Sequence, residues 1–392
     1  MARRNLKSCL EADFLRKLQA KVLLEILLPT RDALTEKGFL CPPDGATKLD
    51  HKVLAGILAE PSDKLAELVE AIYLIANVGA DERFDELHGA AQVLGVDTSD
   101  LKLTAPDLAA RIYLKSPQTL ERMERASSYE RRRKFESFVT CTPAQPIDVA
   151  ALPADLTSLE VELRERFGNM KRGRRCTVTR KDGPGEIRFV IQHGDPYTRQ
   201  PSCNDESSGA VVYRPERTDF VILDLDNNEL RISAKGIAVV KMFLEEFCKH
   251  LFGDKERFIY TEKYTLTPLK EKGKASLSCH DIEGMESVLL TQLEYRWPGT
   301  LDHRDNTRAK DVLGALAHRW RLIKEADFVM AKFSVKLTGE KTKRSVKIAP
   351  RNVAEFTRGE EGLIIEEWLR KRGFVLIGVA TDADTDAAVA GD

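Results

Sequence analysis

Residues 211–253 read VVYRPERTDFVILDLDNNELRISAKGIAVVKMFLEEFCKHLFG, from Val211 to Gly253. Phe220, Val221, Ile222 and Leu223 form a short, unbroken apolar run, which suits a strand covered on both faces. Asp226, Asn227 and Asn228 follow it; these side chains tolerate the left-handed backbone of a tight turn and hydrogen-bond their own main chain. A return strand is expected next, with Leu230 and Ile232 alternating against Arg231 and Ser233. Beyond Gly236, the residues Ile237, Val240, Leu244, Phe247 and Leu251 fall three or four apart and make one stripe of a helix, which Gly253 is suited to end. The stretch therefore predicts strand, turn, strand and helix.

Working outward, the residues after 158 keep a strand-rich pattern. Strands are expected at Cys176–Arg180 and Glu186–Gln192 across the turn Asp182-Gly183-Pro184-Gly185, and at Val288–Trp297 before Pro298-Gly299. A helix carrying Val312, Leu316, Trp320 and Ile323 follows. A hairpin, Phe328–Leu337 and Ser345–Ile348, turns at Thr338-Gly339, and a last helix with Leu363, Ile364, Trp368 and Leu369 ends at Gly373. From Leu10 to about Phe138 every signal is helical. Phe14, Leu18, Val22 and Leu23 begin an amphipathic helix, and Ser62 is placed to cap another through Leu65, Leu68, Val69, Ile72 and Ile75. Thr104, Pro106 and Asp107 open a helix with a capping box, and the last helix follows Ser116-Pro117 and reaches Phe138. The expected fold class is α+β: an all-helical domain over 1–140, a proline-containing linker over 141–157, a mixed α+β domain over 158–375 and a disordered acidic tail over 376–392.

Length and charge narrow the functional classes. A chain of 392 residues exceeds one ordinary core. Its 61 basic and 62 acidic residues leave a formal charge of -1, so no whole-molecule field draws in nucleic acid or an anionic membrane, and binding of that kind needs a local patch. The seven cysteines are scattered, odd in number and without a CxxC pair, and no apolar run approaches the roughly 18 residues that span a bilayer. The N-terminus regains charge too soon for a signal peptide. A cytoplasmic protein with no membrane partner is expected.

No P-loop, GxGxxG, GxSxG or HExxH motif is present, which argues against the common nucleotide enzymes, serine-elbow hydrolases and zinc proteases. Residues 214–236, RPERTDFVILDLDNNELRISAKG, resemble the hairpin of the PD-(D/E)xK nucleases, in which an aspartate opens one strand and an acid-x-lysine closes the next. The resemblance implies a magnesium-dependent phosphodiesterase with Asp219 as a metal ligand and Lys235 as the lysine that orients or activates water. Ser233 stands where that pattern has its second acid, and a neutral hydroxyl holds magnesium poorly; Glu229 or Asp224 would have to substitute. A degenerate, non-cutting version of the fold is the expectation, which by analogy fits a bacterial defence or mobile-element system. No cofactor is expected unless the site is active, in which case it is Mg2+.

The second signal is charge. Arg164, Arg166, Lys171, Arg172, Arg174, Arg175, Arg180 and Lys181 lie in a stretch whose single acid is Glu165, with Gly168 and Gly173 allowing close backbone approach. Guanidinium groups match phosphate in two-point contacts, so this stretch is the candidate nucleic-acid site, with DNA preferred over RNA as partner. Absence of a row of exposed aromatics argues against base stacking on single strands. Arg131, Arg132, Arg133 and Lys134 form a second basic run, surrounded by Glu121, Glu124, Glu130 and Glu136, and Lys341, Lys343, Arg344 and Lys347 a third. Three functional classes remain open: a nucleic-acid-binding component, a divergent nuclease, and a scaffold subunit that binds protein partners through its helical domain. His193 with Asp195, Cys279 with His280 and Asp281, and His303 with Asp305 match no standard metal spacing, and Trp297, Trp320 and Trp368 fit apolar faces.

Overall fold

A computed structural model describes residues 5–42, 49–60, 62–100, 103–127, 129, 132–140, 147–203, 207–259, 262–340, 342–357 and 360–376. The chain divides into two compact units, Met1–Arg131 and Arg132–Asp392.

The first unit is helical. Its longer helices are α1 (Ala20–Leu27), α2 (His51–Ala59), α3 (Ala66–Val78), α4 (Phe84–Val93), α5 (Ala105–Lys115) and α6 (Pro117–Ser127). Helix α3 is its centre, with Leu68, Ile72, Leu74 and Ile75 all buried, and each such side chain contributes about 1.5–3 kcal/mol by leaving water. The capping box before α5 is present: Asp107 N–H donates to Thr104 Oγ1 (3.3 Å) and Thr104 N–H to Asp107 Oδ2 (3.4 Å). Asp107 Oδ1 also accepts from Gln19 N–H at 2.7 Å, so one buried carboxylate serves the starts of two helices. Ser62 differs from expectation, preceding a single 3-10 turn at Asp63–Leu65 without a side-chain cap bond.

The second unit is built on one antiparallel sheet. Its strands are β1 (Lys134–Thr140), β2 (Cys176–Gly183), β3 (Glu186–Gly194), β6 (Glu216–Asp224), β7 (Glu229–Ser233), β8 (Phe258–Ile259), β9 (Met285–Arg296), β10 (Arg304–Arg308), β11 (Asp327–Leu337), β12 (Arg344–Ala349) and β13 (Val353–Glu355). They pair in the order β10-β9-β11-β12-β13-β1-β7-β6-β3-β2, with β8 alongside β1. A separate ribbon, β4 (Thr198–Cys203) with β5 (Ser208–Tyr213), is exposed along its length. Helices α7 (Thr157–Asn169), α8 (Ile237–Phe252) and α9 (Glu360–Lys371) complete the unit, so the fold is α+β.

The sheet carries two cores on opposite faces. Under α7 and α8 lie Phe138, Phe189, Ile191, Val221 and Ile232. At the other half, Phe333, Val335, Val346, Ile348 and Ala354 pack with Trp368 of α9. Strand β1 joins the halves: Phe138 pairs with Leu230 and belongs to the first core, while Phe135 pairs with Ala354 of the second.

The organising stretch folds as strand, turn, strand and helix, but Arg231 and Ser233 of β7 are buried with Leu230 and Ile232, and Ile237 is exposed, off the buried stripe of α8. Asn228 takes a left-handed φ of 47° in the turn, and Gly253 ends α8 with φ 70°. Two further expectations are corrected, and three strands were not foreseen. The last N-terminal helix stops at Ser127, and Lys134–Thr140 is a strand, because Phe135 and Phe138 are buried on opposite faces and their spacing of three mimics a helix. The helix expected across Val312 to Ile323 is two short pieces, Val312–Ala315 and Trp320–Ile323. Strands β4, β5 and β10 lack a buried apolar face and left no alternating signal. The first part of the expected linker, 141–146, and the tail from 377 onward fall outside the described residues.

Candidate nucleic-acid interface

Antiparallel pairing fixes where each candidate side chain points, because residues directly opposite share a face. Ile191 pairs with Asp219, and Phe220 with Ser233. Asp219 therefore faces the α7/α8 layer and Ser233 the other face, so the two positions that would hold magnesium in the nuclease hairpin diverge. Glu229 pairs with Asp224 at the turn end, five residues along β6 from Asp219, or roughly 17 Å, and on the face away from it. The hairpin thus has two chemically separate ends.

At the turn end the charges are closed among themselves. Arg231 contacts Asp224, donates to Glu229 Oε1 from Nε (3.2 Å) and approaches Glu366 of α9 (3.5 Å). Lys263 caps the other oxygen of Glu229. Burial alone would raise the Glu229 carboxyl, but Lys263 and Arg231 outweigh it and hold it down at about 2. Glu229 and Asp224 are consumed by this network and join no site with Asp219.

At the open end a chain of polar contacts runs from the core to the surface. His193, stacked on Phe167 with centroids 4.0 Å apart, places Nε2 3.0 Å from Asp219 Oδ2, and its Nδ1 lies 2.8 Å from Gly194 O. Arg217 Nε donates to Asp219 Oδ1 (3.1 Å), and its Nη1 lies 3.8 Å from Asp195. Asp195 in turn accepts from Arg172 Nη1 (2.5 Å), with Lys235 Nζ 3.9 Å away. Asp219 is fully buried and both its oxygens are engaged; Lys235 is exposed and reaches Asp195 instead.

Above this chain the end of α7 turns back over β3. Arg172 N–H donates to Phe167 O and Lys171 N–H to Gly168 O, a helix-ending pair that sets Lys171 in the left-handed region, φ 59°, where glycine is usual. At Gly194 a β-carbon would sit 2.4 Å from Arg172 O, so glycine is required for the loop to lie against the strand. Between loop and strands is a cavity of about 350 Å³ lined by Arg172, Arg174, Arg175, His193, Arg214 and Glu216 among others. Arg214 donates to Lys171 O (3.0 Å) and covers the Tyr197 ring at 4.5 Å. Arg174 and Arg175 are exposed, and neither has an ion-pair partner among the described residues.

The eight basic candidates therefore separate. Arg172, Arg174 and Arg175 line the cavity, and Lys171, next to them in the chain, is exposed. Arg164 is held by Glu160 and Cys176 O, and Arg166 by Glu245 and Glu246. Arg180 pairs with Asp182 near the far end of β2, where Lys181 is exposed. The sequence reading missed Arg214, which borders the cavity, and Arg217, which joins Asp219 to Asp195, both brought there because β6 returns beside β3. Of the histidine pairs, His193 turns from Asp195 to Asp219, His280 pairs with Ser278 (2.6 Å) while Asp281 holds Arg372, and His303 lies 3.6 Å from Asp305 in an exposed pair. Trp368 is fully buried, whereas Trp297 and Trp320 are partly so. Among the described residues no helix is long and apolar enough to cross a membrane.

No protein-family model matches this chain, and a search of curated proteins finds no match to it.

Proposed function

We propose that the second unit binds the phosphate backbone of nucleic acid, duplex DNA in preference to RNA, through Lys171, Arg172, Arg174, Arg175 and Arg214. The observation that carries this reading is the cavity at the end of α7, where four arginines meet one glutamate and three of the four, Arg174, Arg175 and Arg214, have no carboxylate partner among the described residues. The α7 dipole favours cations only within its last turn, so it does not account for Arg174 and Arg175, which lie beyond Asn169. Planar guanidiniums around an open cavity suit two-point recognition of phosphate oxygens.

Catalysis is not part of this proposal. Asp219 has both oxygens engaged, Glu229 lies on the opposite face, and a magnesium ion would find neither beside the other. In keeping with a reducing cytoplasm, no disulfide joins the six described cysteines. Among its described residues the helical unit has no comparable cluster of arginines without an ion-pair partner, and we assign it to contact with a protein partner, which capture by the full chain and its loss on deleting residues 1–131 would test.

The experiment is binding of labelled duplex DNA, single-stranded DNA and RNA by the full chain across a salt series, with magnesium present and product length followed on a gel. Salt-sensitive binding without shortened products is expected. Absence of binding at low salt would overturn the reading, and shortened products lost on Asp219→Ala would replace it with the nuclease.

A further inference from the structure

The face of the sheet that carries α7 and α8 over one half is free of the second core over the other half, where β10, β9, β11, β12 and β13 present polar side chains. Register aligns six of them across the strands. Arg308 pairs with Gln292, Gln292 with Lys332, Lys332 with Lys347, Lys347 with Glu355, and Glu355 with Lys134. At about 4.8 Å per strand the row is roughly 24 Å long.

Its charges are unbalanced. Lys347 and Glu355 pair at 2.8 Å, and Lys134 lies 3.8 Å from Glu136, one step off the row. Arg308 and Lys332 have no ion-pair partner among the described residues, and Glu294 of the neighbouring step makes none either. Lys332 stands directly opposite Lys347, an arrangement of like charges that destabilises a sheet. The middle of the row opens into a cavity of about 330 Å³, with Arg133 on its wall. A polyanion laid along the row would relieve this repulsion. No aromatic side chain stands in the row, so its contacts are to phosphates rather than to bases.

We infer that this row is a second phosphodiester site, taking one backbone strand of duplex DNA across six strands of the sheet. It shares no residue with the arginine cavity and stands whether or not that cavity binds.

The test is fluorescence anisotropy of the full chain with a short labelled DNA duplex between about 50 and 200 mM salt. Four proteins are compared: wild type, Arg308→Gln/Lys332→Gln, Arg174→Ala/Arg175→Ala, and the control Lys272→Gln/Lys274→Gln, which removes two exposed charges elsewhere. The row variant is expected to weaken binding and to flatten the log–log salt slope by about 1.8, two phosphates at about 0.9 each, with the control unchanged. Circular dichroism should show the row variant folded, since it breaks no ion pair seen among the described residues. A wild-type slope in the row variant overturns the inference, as does an equal loss in the control. So does a row variant that keeps DNA binding but loses binding of poly-glutamate, which would mark an acidic protein as the ligand. Loss in the row variant with none in the arginine-cavity variant supports this site and contradicts the proposed function.

Discussion

The two ends of the β6–β7 hairpin hold similar residues and use them differently. At the turn, Asp224, Glu229 and Glu366 surround Arg231 and Lys263, every carboxylate is engaged, and the group is buried or nearly so. At the open end, Asp219 and Asp195 engage His193, Arg217, Arg172 and Lys235, and Arg174, Arg175 and Arg214 remain outside any carboxylate pair seen among the described residues. Buried charge that is fully paired supports a fold, whereas positive charge left over at an opening is available to a ligand. The lesson is that a carboxylate in a nuclease-like stretch is read from its partners rather than from its spacing.

The largest effect expected from this contrast is at the turn. Glu229→Gln leaves Lys263 and Arg231 short of a counter-charge in the interior and should cost roughly 3–5 kcal/mol. Urea unfolding followed by tryptophan fluorescence reads this unit alone, since Trp297, Trp320 and Trp368 all lie in it. The same carboxyl gives a pH signature. Its folded pKa is depressed, so its stabilisation is full above its ordinary value near 4.5 and is lost as pH falls towards about 2; the wild type should weaken through that window more steeply than the variant. A stability equal to wild type at neutral pH would show that the turn network is not closed.

Asp219→Asn should come next, at about 2 kcal/mol, because the amide offers one neutral oxygen in place of two charged ones, so Arg217 and His193 can no longer both donate to it. A carboxylate kept for catalysis would show unchanged or higher stability on the same change. Gly194→Ala should cost about 1–2 kcal/mol through overpacking, since the backbone carbonyl of Arg172 occupies the space, and should weaken DNA binding by displacing the loop. Arg174→Ala/Arg175→Ala should change stability by less than about 0.5 kcal/mol, as exposed side chains without a partner do.

Much of the hairpin was legible because its signals are local: an apolar run, an Asp-Asn-Asn turn, alternation and a helical stripe capped by glycine. Faces were not. Whether Asp219 and Ser233 point together depends on pairing with β3 and β7, and a shift of one residue would reverse it. Nor could sequence bring Lys263 and Glu366 to Glu229, or Arg214 to Arg172, since those meetings are made by long-range pairing. Phe135 and Phe138 misled for the opposite reason, being buried on both faces of a strand and so lacking alternation. The density of arginine was visible, but Glu160, Glu245 and Glu246, which neutralise Arg164 and Arg166, arrive from α7 itself and from α8.

The central claim is that the open end has positive charge to spare for phosphate and the turn end has none. The most direct measurement is the salt dependence of duplex DNA affinity in Arg174→Ala/Arg175→Ala beside wild type. A slope flatter by about 1.8, at unchanged stability, is the predicted result. A slope and affinity equal to wild type would contradict the account.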